Sequence, residues 1–483
     1  LFYSGHPPCQ DVNPVQHQDE GPICHLSNTK MKVQSSVTIE ASLSLQHSSK
    51  TSLHGTGDGF FNPKMSIGRD LAVLCAVEQN LHLTRQSKSS SSSTPLRDRQ
   101  AARPLDGTMR LLDGFSGVGA LALRWASSLP SSVEITANDR SVVCQDYIRT
   151  NCALAQNNPH NNVLIVGKDV NCLLSDAAVE AGRRPYDMIH LDPFGCVTAH
   201  LDAALRCLSG GGILSFTSTD ISCLCDRRYR NVAKRHYGVS FQKKRDPDTF
   251  REIALRTILS AVARSAARQD KGIHVLAACS VEHFFLIQIQ VVRGTKEADK
   301  TASTAQWRRV GKQKDGLSEG PLWSGSLGDS DWLARLAALA KSSQVPLATT
   351  KNKLYKLLTT LANETRDGLS LANSLDEVSS IIRLSTIYSE LKLNETPKRD
   401  AVVRELVSFG AKASATHLDP RSIRTCASRA TVIKVILNIV KRSKAAQKLP
   451  KVRVPMSVNG KRRNVLASVL IIALSLTLLH KLK

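Results

Sequence analysis

Apolar residues between positions 109 and 292 come in short runs divided by polar turns, and stretches of helical spacing fall between several of them. That alternation predicts strands and helices in turn, the pattern of an α/β sheet. Met109-Arg110-Leu111-Leu112 ends in Asp113-Gly114-Phe115-Ser116-Gly117-Val118-Gly119, and residues 120–127 then read as a helix. Strand, glycine-rich turn and helix open a Rossmann-like unit, in which glycines such as Gly117 and Gly119 let the backbone approach a ligand closely. A second strand, residues 133–138, ends in Asp139, and a third, residues 163–167, ends near Asp169 and Val170. The fourth, Asp187-Met188-Ile189-His190-Leu191, is apolar enough for a buried parallel strand and runs into Asp192-Pro193-Phe194-Gly195. A fifth, residues 212–217, follows a Gly-Gly-Gly turn at residues 210–212. Residues 248–269 have helical spacing, with Ile253, Ile258, Leu259 and Val262 on one side. Residues 273–278 and 283–292 complete seven strands with an antiparallel edge.

Outside this region the pattern changes. Residues 1–56 are polar, rich in Ser, His and Gln, and too weakly patterned to predict fixed structure. The α/β domain is expected over residues 57–295, with a flexible Ser-rich insertion at about 86–104. A charged linker over 296–320 leads to a mainly helical domain over 321–430, with helices at 333–340, 354–361 and 399–409, the last closed by Gly410. Residues 431–483 read as a basic tail. Within it Val465 to Leu479 is nearly all apolar but falls short of the roughly twenty residues that span a bilayer. A buried terminal helix or a gene-prediction artefact is the favoured reading, ahead of a weak membrane anchor. The chain starts at Leu1, so a fragment or partial gene product is expected, and no secretory signal is visible.

Charge narrows the partner. Lysine and arginine total 65 against 41 acids, a formal charge of +24, which implies attraction to phosphate and a salt-sensitive affinity. Arg227, Arg228 and Arg230, Lys234 and Arg235, and Lys243 and Lys244 lie just past the fifth predicted strand. Interleaved with Tyr229 and Tyr237, they are the expected RNA contacts. The twelve cysteines form no framework, which fits a reducing compartment. Cys223 and Cys225 are too close for a usual zinc pair, and no metal is expected.

The strand ends carry the chemistry. In a doubly wound sheet, Asp113, Asp139, Asp169 and Asp192 line one crevice. A pyrophosphate is repelled by so many carboxylates, whereas S-adenosylmethionine carries a sulfonium and an ammonium and no phosphate. The pattern therefore favours a methyl donor over NAD, the more distant alternative. At Asp192-Pro193-Phe194 a carboxylate and a backbone carbonyl are suited to accept hydrogen bonds from an exocyclic amine, while the aromatic ring stacks on a base. Acceptors on the amine hydrogens return its delocalised lone pair to nitrogen as it attacks. A common Asp-Pro turn is the plain alternative.

With those motifs in place, the chain resembles the tRNA guanosine N2-methyltransferases, most nearly the "tRNA methyltransferase 1-like" branch of animals. The matching stretches are Phe60-Phe61-Asn62-Pro63 through Arg69-Asp70-Leu71, the Asp113 loop, Asp192-Pro193-Phe194-Gly195 and Thr217-Ser218-Thr219-Asp220-Ile221-Ser222. Others are Glu252-Ile253-Ala254-Leu255-Arg256, Gly320-Pro321-Leu322-Trp323-Ser324, and Thr416-His417-Leu418-Asp419-Pro420 through Arg424-Thr425. The resemblance implies a class I (Rossmann-like) S-adenosylmethionine methyltransferase sheet with a helical, tRNA-gripping C-terminal domain. It implies that Arg69, Asp139 and Asp169 hold the donor, that Asp192 receives the guanine amine, and that tRNA is the partner. Three departures stand out: Leu121 occupies a position where the family commonly has arginine, an acidic glycine-containing N-terminal motif is not apparent at residues 33–45, and residues 301–316 lack the cysteine cluster of many eukaryotic members. A catalytically inactive RNA-binding scaffold is the alternative that Leu121 and the altered N-terminus suggest, and the missing cysteines imply that the zinc site is absent. The basic cluster at 451–463 and the family's habit point to the nucleus, with cytoplasm or mitochondrion as alternatives.

Overall fold

The structure, a computed structural model, describes residues 61–89, 108–154, 162–179, 185–240, 249–310, 317–342, 344–347, 350–370 and 380–448. The polar N-terminus, most of the Ser-rich insertion, Lys243, Lys244 and the apolar segment 465–479 lie outside the described residues.

Helix α1 (Ser66–Ser89) precedes the sheet and runs into the start of the expected insertion. Then follow β1 (Arg110–Asp113), α2 (Ala120–Ser128), β2 (Glu134–Asn138), α3 (Val142–Leu154), β3 (Val163–Val166), α4 (Val170–Val179), β4 (Tyr186–Leu191), α5 (Thr198–Cys207) and β5 (Leu208–Ser218). Short α6 (Ile221–Cys225) and α7 (Arg230–Tyr237) lead to α8 (Phe250–Ala267), β6 (Lys271–Val281) and β7 (Phe284–Arg293). The seven strands lie in the order β3-β2-β1-β4-β5-β7-β6. All pairings from β3 to β5 are parallel, and β7 is antiparallel to both neighbours, so the reversed strand sits one place in from the edge.

Alternation along the central strands shows why both faces are covered. Leu112, Ile189, Leu191, Leu214 and Phe216 point into one core with α4, α5 and α8. Leu111, Met188 and Ile213 point into the other, with α1 and α2. A strand buried on two sides has no polar face, which explains the nearly continuous apolar runs of β4 and β5.

Four sequence expectations change. Gly210 to Gly212 do not form a turn before β5; they lie inside it, and the register against β4 slips there between Tyr186 and Met188. Gly211 takes φ +80°, a backbone state glycine tolerates. The expected linker is instead α9 (Thr295–Thr304) followed by the hairpin β8 (Ala305–Val310) and β9 (Leu317–Trp323). Helices α10 (Ser330–Lys341) and α11 (Lys351–Thr365), expected in the second domain, pack with α1 and α2 in the second core, through Trp332, Leu333, Leu336, Leu354 and Leu358. The separate C-terminal unit begins near residue 380. It contains β10 (Ile381–Arg383), α12 (Leu384–Glu390), α13 (Arg399–Ser408), β11 (Ala413–Ala415), β12 (Ser422–Thr425) and α14 (Arg429–Lys448). Its sheet has the order β10-β12-β11, and its core includes Val432, Val435 and Ile436 of α14, so the first part of the expected tail is folded. Among the described residues, no helix is long and apolar enough to cross a membrane.

Candidate active site

Parallel strands β1, β2, β3 and β4 deliver their last residues to one end of the sheet, where a cavity of about 910 Å³ opens. Arg69, Asp113, Gly117, Asp139, Asp169, Val170, Asp192, Pro193 and Phe194 all line it. The crevice predicted from four separate strand ends is therefore a single site. Gly119 does not form its wall; it starts α2 with φ +83°, against the side chain of Ile148.

The glycine-rich loop is pinned from both sides. The Gly114 amide donates to His190 O at 2.9 Å, and a Cβ at Gly114 would meet the Leu191 side chain at 2.6 Å, so any larger residue would have to displace that buried leucine. Gly117 N–H donates to Asp139 Oδ2 at 2.9 Å, while Ser141 N–H takes Oδ1 at 2.9 Å. Asn138, buried at the end of β2, gives its Nδ2 to Gly114 O and Lys168 O and accepts from Lys168 N, joining the loops after β1 and β3. Asp169 accepts from Asn171 N at 2.9 Å and so caps α4, beside the buried Val170.

Asp113 lies 2% exposed and accepts from Ser116 Oγ at 2.9 Å. Burial pushes its carboxyl up to about 7, against the pull of the Ser116 bond and with added repulsion from Asp192 and Asp139. Among the described residues, none of Asp113, Asp139, Asp169 or Asp192 has a lysine or arginine within ion-pair distance. Arg69 lies over the Phe61 ring at 4.7 Å and donates to Asn62 O at 3.1 Å. Leu121 is 4% exposed and lines the cavity from α2, so an apolar side chain takes the place of a guanidinium there.

Past β4 the backbone turns at Gly195, φ +80°. The turn is held against the end of β5: Gly195 N–H donates to Thr219 Oγ1 at 2.8 Å, Thr219 N–H to Gly195 O at 3.2 Å, and Ser218 Oγ to Gly195 O at 3.1 Å. This fastening buries Pro193 and leaves Phe194 82% exposed at the cavity mouth. Exposure of a phenyl ring costs hydrophobic free energy unless a partner covers it. Asp192 Oδ1 accepts from Thr217 Oγ1. His190 bonds Ser215 Oγ through Nδ1 at 3.0 Å, and burial lowers its pKa to about 4, so it is neutral near pH 7.

Asn138, His190, Ser116 and Thr217 were given no site role by sequence, although Ser116 and Thr217 lie within the resemblance motifs. The available signal was faint: each is a polar residue at or near the end of an apolar strand, or in the loop after one. Of the expected RNA contacts, Arg228, Arg230, Lys234 and Arg235 are exposed on and beside α7; Arg228 also pairs with Asp226 at 2.5 Å. The Arg227 side chain, Lys243 and Lys244 lie outside the described residues. Helix α7 is fastened to the site through Asp220, which accepts from Tyr237 Oη at 3.3 Å and lies 3.4 Å from His236 Nδ1. Cys196 joins Asp220 and His236 in a group whose ligating atoms lie within 4.8 Å of one another.

The described geometry has counterparts. A profile of the family described as "N2,N2-dimethylguanosine tRNA methyltransferase" matches residues 40–310 and 308–437. The tRNA (guanine(27)-N(2))-dimethyltransferase of Homo sapiens is 31% identical over 65% of this chain and 45% of its own length. The tRNA (guanine(26)-N(2))-dimethyltransferase of Thermococcus kodakarensis is 28% identical over 79% of this chain and 93% of its own. The chain thus spans less than half the length of the animal relatives it matches. The solved structure of Trm1 from Pyrococcus horikoshii with S-adenosyl-L-methionine shares the fold, with TM-score 0.61 and 24% identity over 78% of this chain and 94% of that one.

Proposed function

The chain belongs to the N2,N2-dimethylguanosine tRNA methyltransferase family, and from that premise we propose that it transfers methyl groups from S-adenosylmethionine to the exocyclic N2 of a guanosine in tRNA. The observation that carries this is the placement of Asp192-Pro193-Phe194 at the mouth of a cavity whose carboxylates have no cationic partner among the described residues. A donor bearing a sulfonium and an ammonium, and no phosphate, supplies the missing positive charge. Bound there, it supplies an activated methyl group.

The residues divide the work. Asp113 neutralises the donor's cationic end, Asp139 takes ribose hydroxyls, Asp169 and Val170 frame the adenine, and Arg69 closes the cavity from α1. Phe194, exposed at the mouth, stacks on the guanine. The Asp192 carboxylate and the Pro193 carbonyl accept from the amine, and that acceptance strengthens as N2 loses its conjugation with the ring. The donor, held by Asp113, Asp139, Asp169 and Arg69, would supply the methyl group to N2 and keep the electrons of the broken carbon–sulfur bond. The proton that N2 must then shed has Asp192 as its acceptor. Arg228, Arg230, Lys234 and Arg235 on and beside α7, continued by Arg227, Lys243 and Lys244 in sequence, hold the tRNA phosphates. The basic cluster at 451–463 supports nuclear residence, which imaging of a fluorescent fusion with and without that cluster tests.

The experiment pairs calorimetric titration of S-adenosylmethionine and NAD with a transfer assay on unmodified tRNA transcripts. Donor binding with methyl transfer supports the reading. NAD binding alone returns the chain to the dinucleotide class, and tRNA binding without donor affinity or transfer makes it a scaffold.

A further inference from the structure

Asp192 stands one residue beyond the last residue of β4, where ladder pairing no longer fixes its orientation. Its recorded hydrogen bond comes from the neighbouring strand: Thr217 Oγ1 of β5 donates to Oδ1, and Oδ2 accepts from no described residue. The register explains the match. His190 faces Ser215 and Leu191 faces Phe216, so the next step sets Asp192 opposite Thr217. Ser215 Oγ already meets His190 Nδ1 at 3.0 Å, which makes a ladder of two hydroxyls on β5 against the two polar side chains at the end of β4. Thr217 is 1% exposed, and β7 pairs its backbone against Leu286. A hydroxyl this deep in a core strand is costly unless bonded, and a buried valine of the same shape would serve packing as well. What the hydroxyl adds is a hold on one oxygen of the carboxylate.

We propose that Thr217 is a positioning residue: by donating to Asp192 Oδ1 it fixes the carboxylate so that Oδ2 is presented to the guanosine amine. This rests on the proposed methyl transfer. Valine cannot donate, so the carboxylate swings through other rotamers and the productive geometry is populated only part of the time. The effect falls on the reacting step, since Thr217 is buried and does not line the cavity.

The test compares wild type, Thr217→Val and Thr217→Ser in steady-state methyl transfer to tRNA, with donor affinity by calorimetry and melting temperature as controls. Loss of a hydrogen bond to a charged group predicts that Thr217→Val lowers kcat about 10- to 100-fold. KM for tRNA and donor affinity should stay within about threefold of wild type, a range that leaves binding intact. Thr217→Ser keeps the hydroxyl and should restore kcat to within about threefold. A packing role gives the opposite order, with valine near wild type and serine impaired, and overturns the inference, as does a valine variant of unchanged kcat. If wild type itself transfers no methyl, the proposed function is what fails, and this inference falls with it.

Discussion

Two clusters of charge in this molecule have opposite characters. At the strand ends, four carboxylates share a cavity that Arg69, Arg140 and Lys168 also line, yet among the described residues none of the four is within ion-pair distance of a lysine or arginine, and only Asp113 is buried. At the junction of the α/β body with the C-terminal unit, Glu252 and Glu364 are matched by Arg256, Arg424 and His417. Glu252 Oε1 accepts from Arg256 Nη2 at 2.7 Å and from Arg424 Nη1 at 3.2 Å. Glu364 accepts from Arg424 Nε at 3.2 Å, and His417 Nδ1 lies 2.8 Å from it. Arg256 spends its other donors on Trp323 O and Ser370 O. Burial raises the Glu364 carboxyl, yet His417 and Arg424 overcome this and leave it below the ordinary value, whereas Asp113 rises to about 7. One cluster is paired within the fold; the other is left open to the cavity, where the proposed function has it meet a cationic donor. The contrast sorts the resemblance motifs by job: residues 252–256, 320–324 and 416–424 meet in the closed network, while residues 113–119 and 192–195 meet in the open one.

Mutations should separate the two. Asp192→Ala should lower the transfer rate by at least about 10³-fold, at the upper end of what removing one transition-state partner costs, while tRNA affinity by filter binding changes little. Arg424→Met should do the reverse. It leaves Glu364 with less compensation and should cost about 3–5 kcal/mol of stability, the usual penalty for breaking a buried ion pair, read by urea denaturation. A variant that keeps this stability would break the comparison.

Asp113 sharpens it through pH. Its pKa in the folded protein, about 7, lies above its ordinary value of 3.8. As pH rises through that window the unfolded chain gives up the proton first, so stability falls with pH. Donor affinity should run the other way, climbing as the carboxylate ionises and levelling above pH 7. Calorimetry in buffers of different ionisation enthalpy should detect the released proton. Asp113→Asn should flatten both dependences. The smallest effect belongs to the exposed surface: Lys234→Glu with Arg235→Glu should weaken tRNA binding. The slope of log affinity against log salt should shrink by roughly one for each phosphate that is no longer neutralised.

Why some of this was legible in sequence follows from where the information sits. The ends of β1 to β4 announce themselves because an apolar run stopping at an aspartate is a local signal, and the topology then gathers such ends by rule. The helix Phe250–Ala267 and strand Phe284–Arg293 were visible for the same reason. Gly210 to Gly212 misled because glycines signal turns, while here a bulged strand absorbs them. The hairpin at 305–323 was hidden because Arg308, Arg309, Lys312, Lys314, Asp315 and Glu319 make its sequence read as a charged linker. Helices α10 and α11 have ordinary amphipathic spacing, which says that one face is buried and nothing about which domain buries it. Asn138 and Thr217 act on residues 24 to 30 positions away, through contacts that only the folded register creates.

The most direct test of the central claim is nucleoside mass spectrometry of tRNA transcripts incubated with methyl-labelled S-adenosylmethionine, with wild type beside Asp192→Ala. The account predicts label in N2-methyl- or N2,N2-dimethylguanosine from the wild type and none from the variant. Label in any other nucleoside, or equal label from both proteins, would contradict it.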